Sequence, residues 1–296
     1  MAISTGSFVY AVFLAVMICF NIAGNSLVCL VIWKKKERKN LINRLLFHLA
    51  IADLLVAAFF IPPCILRHFI GQPTGFTGDL LCKFITGGNL GWVAASASSF
   101  LLVAVAFERH SATVHPLLSL SQSRSPRLVP ILWMLAILMA IPSLVVSVGD
   151  VESQMCVNNF PDYSTMRAYY LAWSFVNSLL PISIMGYLYT RIIMCLRSRV
   201  LVTSSASQTV SRSRDKVTRM LISVSVIFIS CWTPPVVLCV LSPMIPGGYA
   251  TVYPVATASA LLNSCLNPLV YSFHSQQFRK NVASVFPCSN NKQTTT

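Results

Sequence analysis

The sequence has few charged residues and very few acidic ones. Of its 296 residues, 10% are Asp, Glu, Lys or Arg, and only 8 are acidic. A soluble globular protein needs about 25% charged residues to cover its surface. This composition therefore excludes a soluble globular protein. The low charge and the 55% of hydrophobic residues also exclude a disordered chain, a coiled coil and a collagen-like fibre. With a mean hydropathy of +0.69, the chain is predicted to be an integral membrane protein.

Seven apolar segments, each long enough to cross a bilayer, follow one another along the chain. They cover residues 8–33, 45–66, 84–107, 129–149, 168–195, 220–242 and 253–273, and we number them spans 1 to 7. About 20 apolar residues cross the hydrocarbon core as a helix, because lipid offers the backbone no other partner. We therefore expect an all-α membrane protein with a seven-helix transmembrane bundle at 8–273. A short tail precedes it at 1–7, and an amphipathic helix with a tail follows at 274–296. The Ser-rich segment 204–213 is expected to be a flexible loop.

The basic residues are concentrated in alternate loops. All of the 22 Lys and Arg residues except Arg67, Lys83 and Arg167 lie in or beside the loops after spans 1, 3, 5 and 7. Loops rich in Lys and Arg remain in the cytoplasm, so we expect an extracellular N-terminus and a cytoplasmic C-terminus in the plasma membrane. Despite the net charge of +14, this alternation argues against a nucleic-acid partner.

Asp53 is an acidic residue near the middle of span 2. A polar residue inside a membrane is costly, so Asp53 is a candidate functional residue. Oxygen-bearing side chains in spans 3 and 7 suggest that it binds a hard cation such as sodium. The candidate ligands beside Asp53 are Ser98, Asn263, Ser264 and Asn267. The alternative is a protonated, hydrogen-bonded packing residue.

Short motifs occur one per span and in a fixed order. Span 3 ends in Glu108-Arg109-His110, span 6 contains Cys231-Trp232-Thr233-Pro234, and span 7 contains Asn267-Pro268-Leu269-Val270-Tyr271. Span 1 adds Gly24-Asn25, span 4 adds Trp133, and span 5 adds Pro181 with Tyr189. With these motifs taken together, the chain resembles the rhodopsin-like (class A) G-protein-coupled receptors over nearly its whole length.

The resemblance implies a signalling role and a set of residues that carry it. Arg109, restrained by Glu108 in the inactive state, would face a heterotrimeric G protein in the active state. The implied coupling residues are Glu108, Arg109, Tyr189, Phe228, Trp232, Pro234, Asn267, Pro268 and Tyr271. The family pattern also implies a disulfide between Cys82 and Cys156. A receptor of this class is not an enzyme, and arrestin and a receptor kinase are expected as further partners.

The chain departs from the family pattern in several places. His110 stands where Tyr is usual, and Ser99 stands where a branched apolar residue usually packs. Arg214 stands where some members have an acidic residue that restrains the span 3 arginine, so high basal activity is conceivable. Cys82 and Arg109 are 27 residues apart, two more than the family norm. A bulge or an extra partial turn near Thr86-Gly87-Gly88 is expected to absorb them.

The sequence excludes some ligands and leaves others open. Leu261 occupies the position at which opsins bind retinal through lysine, and neither Gly91 nor Asn89 supplies the acid that amine receptors need. Peptides, lipids and small neutral or acidic ligands remain, with Gly78–Lys83 and Ala94–Ser98 most similar to neuropeptide receptors. The expected pocket residues are Asn89, Trp92, Trp173, Asn177, Tyr253 and Thr257. Acidic residues in the extracellular loops form either a rim for a basic peptide or an ordinary solvated surface; they are Asp79, Asp150, Glu152 and Asp162.

The sequence leaves two other classes of protein and one modification open. A seven-helix transporter needs carboxylates in several spans, and Asp53 alone argues against it. An intramembrane hydrolase needs clustered catalytic or metal-binding residues, whereas the five histidines are scattered. No cofactor is expected apart from the sodium ion. Cys288 follows the amphipathic segment and is either a palmitoylation site or an unmodified tail cysteine.

Overall fold

The computed structural model describes most of the chain as a bundle of helices. The described residues are 5–35, 40–65, 73, 75–115, 127–150, 155–200, 208–244, 248–274 and 276–285. The predicted all-α, seven-helix transmembrane bundle is confirmed. Spans 1 and 2 are the helices α1 (Thr5–Lys34) and α2 (Leu41–Cys64), and span 4 is α5 (Leu128–Val146).

Spans 3 and 5 each consist of two helices joined by a wider, π-helical turn. In span 3, α3 (Gly75–Leu81) passes through a π turn (Cys82–Thr86) into α4 (Asn89–Val114). In span 5, α6 (Tyr163–Ser174) passes through a π turn (Phe175–Leu179) into α7 (Leu180–Val200). The π turn of span 3 and the left-handed Gly88 (φ 76°) provide the extra partial turn expected near Thr86–Gly88.

The last helices extend further than the apolar pattern predicts. Span 6 is α8 (Gln208–Leu241), followed by a 3₁₀ turn (Ser242–Met244); span 7 is α9 (Gly248–His274), and α10 (Gln276–Val285) follows it. The expectation of a loop over 204–213 is therefore wrong from residue 208 onward, because a helix nucleated in the membrane continues into a polar segment at little cost. Cys288 lies outside the described residues.

Most of the spans carry the apolar surface that a bilayer requires. Six of the described helical segments are long and apolar enough to cross a membrane. Span 7 is not among these six, and its Asn263, Asn267 and two internal prolines lower its hydropathy. Span 4 leaves Ile131, Leu135 and Leu138 about half exposed, as expected for side chains that face lipid rather than water.

Span 3 lies at the centre of the bundle, where it contacts spans 2, 4, 5 and 6, and spans 1 and 7 meet to close the ring. Small residues on α4 allow this close approach. Ala94, Ala97 and Ser98 are buried, and a methyl group added to Gly91 would lie 2.6 Å from the Phe60 ring. An aromatic ring from span 2 therefore occupies the space that a side chain at Gly91 would need.

A two-stranded hairpin covers one end of the bundle, which we call the hairpin end. Strand β1 (Ser147–Asp150) pairs antiparallel with β2 (Met155–Asn158), so that Gly149 is opposite Cys156. Cys156 is disulfide-bonded to Cys82 in the π turn of span 3, with 5.5 Å between their Cα atoms. This confirms the expected disulfide and holds the hairpin against span 3.

Candidate functional site

A cavity of about 650 Å³ opens among the spans at the hairpin end. Its walls include residues of all seven spans and of both strands. Four of the predicted pocket residues, Asn89, Trp92, Trp173 and Tyr253, line it. This volume lies in the range that accommodates a drug-sized molecule or a few residues of a peptide.

Aromatic side chains form one wall of the cavity and continue below it. The Trp92 ring meets those of Phe60, Trp173 and Tyr253 edge to face, at centroid distances of 5.1, 5.4 and 6.1 Å. Trp173 in turn lies 5.9 Å from Trp232. Offset and edge-to-face arrangements at such distances are the favourable ones for aromatic pairs, so these rings form one continuous packed row.

Asn89 is the centre of a polar part of the cavity wall. Its amide nitrogen donates to the carbonyl oxygens of Cys82 and Lys83, at 3.3 and 3.2 Å, and to the Ser147 hydroxyl at 2.9 Å. The Ser143 hydroxyl donates to its amide oxygen at 2.6 Å. Asn89 therefore joins the π turn of span 3 to the end of span 4 and to the hairpin.

The polar wall continues through β2 to span 5. The Ser147 hydroxyl donates to Asn158 Oδ1 at 2.7 Å, and Asn158 Nδ2 donates to the Tyr170 hydroxyl at 3.0 Å. Sequence reasoning missed Ser143, Asn158 and Tyr170, because nothing in their local sequence distinguishes them from ordinary loop and helix residues.

Two residues predicted to line the pocket do not. Asn177 and Thr257 are absent from its walls and are fully or almost fully buried, with 0% and 1% exposure. Asn177 Nδ2 donates to the Trp173 carbonyl at 2.9 Å, and the Thr257 hydroxyl donates to the Tyr253 carbonyl at 2.9 Å. Each side chain therefore bonds its own helix, and these two assignments are corrected.

Two acidic residues of the hairpin end, Asp79 and Asp162, have structural partners. Asp79 accepts a hydrogen bond from the Gly149 backbone at 2.8 Å, which ties α3 to β1. Asp162 caps α6: the backbone N–H and hydroxyl of Thr165 donate to it at 2.8 Å each, and these bonds hold the pKa of Asp162 below its usual value. Glu152 lies outside the described residues. Two of the four supposed rim residues thus serve to fix the fold.

Lys83 is a further residue whose role the sequence did not reveal. Its ammonium group donates to the carbonyl oxygens of Leu144 and Val145, at 3.0 and 2.7 Å. These carbonyls belong to the last turn of α5, where a cation also complements the helix dipole. Lys83 therefore fastens span 3 to the end of span 4.

Trp232 of span 6 lines the cavity, and Phe228 lies one turn earlier in the same helix. The two rings are 5.9 Å apart, Phe228 is fully buried, and Trp232 is 2% exposed. Pro234 lies in the same helix, two residues beyond Trp232. A group bound in the cavity can therefore touch Trp232, whose neighbours reach into the core of the bundle.

Asp53 and residues of spans 3 and 7 form a buried polar cluster in the middle of the bundle. The Ser98 hydroxyl donates to Asp53 Oδ1 at 3.0 Å, and Asn267 Nδ2 donates to Oδ2 at 2.8 Å. Ser264 is a third polar neighbour of the carboxylate. Asn263 and Asn267 each bury an amide oxygen without a hydrogen-bond partner. Of the residues predicted to bind sodium, Ser98, Ser264 and Asn267 are thus brought together around Asp53.

Span 1 compensates for the proline in span 7. Pro268 lacks the N–H that would bond the carbonyl of Ser264 one turn earlier, and Asn25 Nδ2 donates to that carbonyl instead, at 3.1 Å. Gly24 permits the contact, since a methyl group there would lie 2.9 Å from the Pro268 ring. Asn21, also fully buried, accepts a hydrogen bond from Asn25 at 3.1 Å.

The end of the bundle opposite the hairpin carries Arg109. This half-buried arginine has Glu108 and Tyr189 as electrostatic neighbours, and its Nε has no hydrogen-bond partner. Tyr189 itself is buried. The side chain of Tyr271 lies outside the described part, and the role of the Glu108–Arg109 pair in an inactive state stays a prediction. Within the described ranges, no group of three or more His, Cys, Asp or Glu side chains is placed to hold a metal ion.

Comparison with known proteins agrees with this arrangement. Residues 24–271 match the model of the 7 transmembrane receptor (rhodopsin family). The chain is 29% identical over 315 residues to neuropeptide FF receptor 2 of Rattus norvegicus, covering 95% of this chain and 73% of that receptor. It is 27% identical over 288 residues to the allatostatin-A receptor of Bombyx mori, covering 90% and 76% of the two chains. Because the family model spans most of the sequence, the chain belongs to the rhodopsin family of seven-transmembrane receptors.

Proposed function

We propose that this receptor binds a peptide in the cavity at the hairpin end and promotes nucleotide exchange on a heterotrimeric G protein at the Arg109 end. The row of rings from Trp92 to Phe228 is the observation that carries the proposal. It links the cavity wall to span 6 through three centroid distances of 5.4 to 5.9 Å. The peptide ligand is favoured because the relatives named above are receptors for neuropeptide FF and allatostatin-A.

Charge and the disulfide support one orientation. In the sequence, the Lys- and Arg-rich loops follow spans 1, 3, 5 and 7, and Arg109 stands at the end of span 3, so that side of the bundle would be cytoplasmic. The Cys82–Cys156 bond belongs in an oxidising compartment, so the hairpin end and the N-terminus would be extracellular in the plasma membrane. Arrestin and a receptor kinase would meet the same cytoplasmic face, and the helix α10 would place Cys288 near the membrane for palmitoylation.

We also propose that sodium occupies the Asp53 cluster in the inactive receptor. The carboxylate, the Ser98 hydroxyl and the free amide oxygens of Asn263 and Asn267 are the hard oxygen ligands that such a cation prefers. A transporter is disfavoured by the same region. Among the described residues Asp53 is the only buried acidic side chain, so no second carboxylate is present to relay a proton or an ion.

The test is nucleotide exchange on purified G proteins by the full-length receptor in lipid nanodiscs. Pools of amidated and free-acid peptides are added, and the expected result is faster exchange with one or more pools. Neither a transporter nor an intramembrane hydrolase is expected to catalyse nucleotide exchange. This measurement therefore distinguishes a receptor from both. Peptide-independent transport of an ion by the same preparation, without exchange on any G protein subtype, would contradict the proposal.

A further inference from the structure

Ser225 is a buried serine on the inner face of span 6. It is 4% exposed and is followed three residues later by the fully buried Phe228, so both side chains lie on one face of α8. A hydroxyl group is costly to bury among apolar side chains unless it finds a hydrogen-bond partner. The partners of Ser225 therefore indicate why a polar residue occupies this position.

Two partners of Ser225 belong to span 5. The Ser225 hydroxyl donates to Met185 Sδ at 3.5 Å, and it is also a hydrogen-bonding neighbour of the Tyr189 hydroxyl. Met185 and Tyr189 are four residues apart in α7 and therefore share a face, and both are buried, at 0% and 6% exposure. A serine hydroxyl can donate to the sulfur and accept from the phenol at once. Ser225 thus joins span 6 to two positions of span 5.

Tyr189 extends this contact to span 3. It is an electrostatic neighbour of Arg109, the residue proposed above to act on the G protein. Ser225, Tyr189 and Arg109 thus form a chain of neighbours from span 6 through span 5 to span 3, at the end of the bundle opposite the hairpin. A change in the position of span 6 would therefore change the surroundings of Arg109.

A receptor that responds to a ligand must keep span 6 in place when no ligand is bound. Some members of the family do so with an acidic residue that pairs with the span 3 arginine, and here that position is Arg214. Because two cations repel, Arg214 cannot form this ion pair with Arg109. A hydrogen bond between two transmembrane helices is a modest stabilisation, strong enough to bias a two-state equilibrium and weak enough to be broken by a ligand.

We infer that Ser225 is a positioning residue for coupling to the G protein. Its hydroxyl, in contact with Met185 and Tyr189, holds span 6 against span 5 in the arrangement in which Arg109 is half-buried. Outward movement of span 6 breaks these contacts and allows Arg109 to meet the G protein. The inference rests on the proposed function, and it assigns to a neutral contact the restraint that an acidic residue supplies in other members of the family.

Nucleotide exchange without ligand is the first test. Ser225→Ala removes the hydroxyl, and in nanodiscs with purified G protein it is expected to raise the ligand-free exchange rate about three- to tenfold, the factor that one interhelical hydrogen bond supplies. Ser230→Ala is the matched control. Ser230 lies in the same helix, is exposed, and donates to the Val226 carbonyl of its own helix at 2.9 Å, so its removal is expected to leave the rate unchanged.

A double-mutant cycle shows whether the hydroxyl acts through span 5. Met185→Leu and Tyr189→Phe together remove both partner atoms and leave the side-chain volumes nearly unchanged. In that background, Ser225→Ala is expected to change the ligand-free exchange rate less than twofold, because neither contact remains to be lost. An equal increase in both backgrounds would show that Ser225 does not act through these two residues.

Amide hydrogen exchange of the receptor alone is a second readout, which requires no G protein. In Ser225→Ala, the backbone of α8 before residue 225 is expected to exchange its amide hydrogens faster than in the unmodified receptor, whereas Ser230→Ala should show no change. If Ser225→Ala does not fold, Met185→Leu removes the sulfur contact from the side of span 5 and is expected to accelerate amide exchange in the same segment.

The two readouts separate this inference from the proposed function. A Ser225→Ala receptor with unchanged or slower nucleotide exchange and unchanged amide exchange in α8 would overturn the inference, even if peptides activate the unmodified receptor. A lower melting temperature without faster nucleotide exchange would also overturn it, because that is the result of a purely structural role. Conversely, faster amide exchange in α8 without nucleotide exchange by any variant, on any G protein subtype, would contradict the proposed function and leave the restraint on span 6 standing.

Discussion

At the scale of single residues, Asp53 is the group on which the proposed response to sodium depends. Its hydrogen-bond partners, which include the Ser98 hydroxyl and the Asn267 amide, are neutral donors. Hydrogen bonds from such groups offset only part of the cost of burying a charge. Either a proton or a bound cation would offset the rest, and the sodium ion proposed above is the second of these.

We expect Asp53→Asn to abolish the effect of sodium on agonist affinity. Sodium bound mainly in the inactive state should weaken agonist binding by about 1–3 kcal/mol, roughly 5- to 150-fold, in the unmodified receptor. The affinity of an activating peptide is measured in sodium chloride and in choline chloride at equal ionic strength. Asp162→Asn, which changes an acid outside the spans, is the control and should retain the effect. A sodium effect that survives in Asp53→Asn would rule out this site.

Gly91 offers a second prediction at this scale. Gly91→Ala would place a methyl group 2.6 Å from the buried Phe60 ring, which must then shift against Trp92. Such overpacking typically costs about 1–3 kcal/mol, so we expect a lower melting temperature and weaker ligand binding. In the control Gly186→Ala, the new methyl group meets nothing within 4 Å. That variant should be neutral or slightly stabilising, because alanine favours a helix over glycine. Equal melting temperatures for the two variants would contradict the close packing of Phe60.

At the scale of helices and strands, the π turn of span 3 organises the hairpin end. It contains Cys82, which bonds the hairpin, and Lys83, which caps span 4. Its end is followed by Asn89, the centre of the polar wall. Three separate contacts to the hairpin and to span 4 therefore lie within eight residues of span 3.

We expect Lys83→Met to destabilise the receptor by about 1–2 kcal/mol, since two charge-assisted hydrogen bonds to the end of α5 are lost. The melting temperature of the purified receptor measures the effect. Arg167→Met removes an exposed cation from the same side and controls for net charge. If both variants melt at the same temperature, the cap contributes no more than a surface charge.

Sequence reasoning located the elements and the central cluster because their signals are local or motif-based. An apolar run of sufficient length identifies each span, and a carboxylate inside such a run identifies Asp53. Sequence reasoning failed at contacts between segments that are distant in the chain. Lys83 and Leu144 are separated by 61 residues, and no local pattern pairs them. The sequence left Asp79 open as either a rim residue or part of a solvated surface for the same reason, because its partner, the Gly149 backbone N–H, is 70 residues away. Asp162 was left open in the same way, although its partner Thr165 is only three residues away and forms a local helix N-cap that sequence reasoning did not identify.

At the scale of the whole molecule, binding at one end must be reported at the other, across about 30 Å of bilayer. Spans 6 and 7 each contain a proline, Pro234 and Pro268, which interrupts the backbone ladder and permits bending. In span 7 the carbonyl freed by Pro268 is satisfied by Asn25. In span 6, Pro234 lies two residues beyond Trp232, which lines the cavity. A ligand can thus bias the position of span 6 and the access to Arg109.

We expect Arg109→Ala to abolish nucleotide exchange while expression and peptide binding remain largely intact, because Arg109 is not among the described residues that line the cavity. In the unmodified receptor, ligand and G protein would favour the same open state. Each should therefore increase the affinity of the other by the same factor. Measuring agonist affinity with and without G protein tests this reciprocity, which Arg109→Ala should remove.

Arg279→Ala, which removes an exposed cation from α10, is the charge-matched control and should preserve exchange. Full exchange by a well-expressed Arg109→Ala receptor on several G protein subtypes would contradict the mechanism.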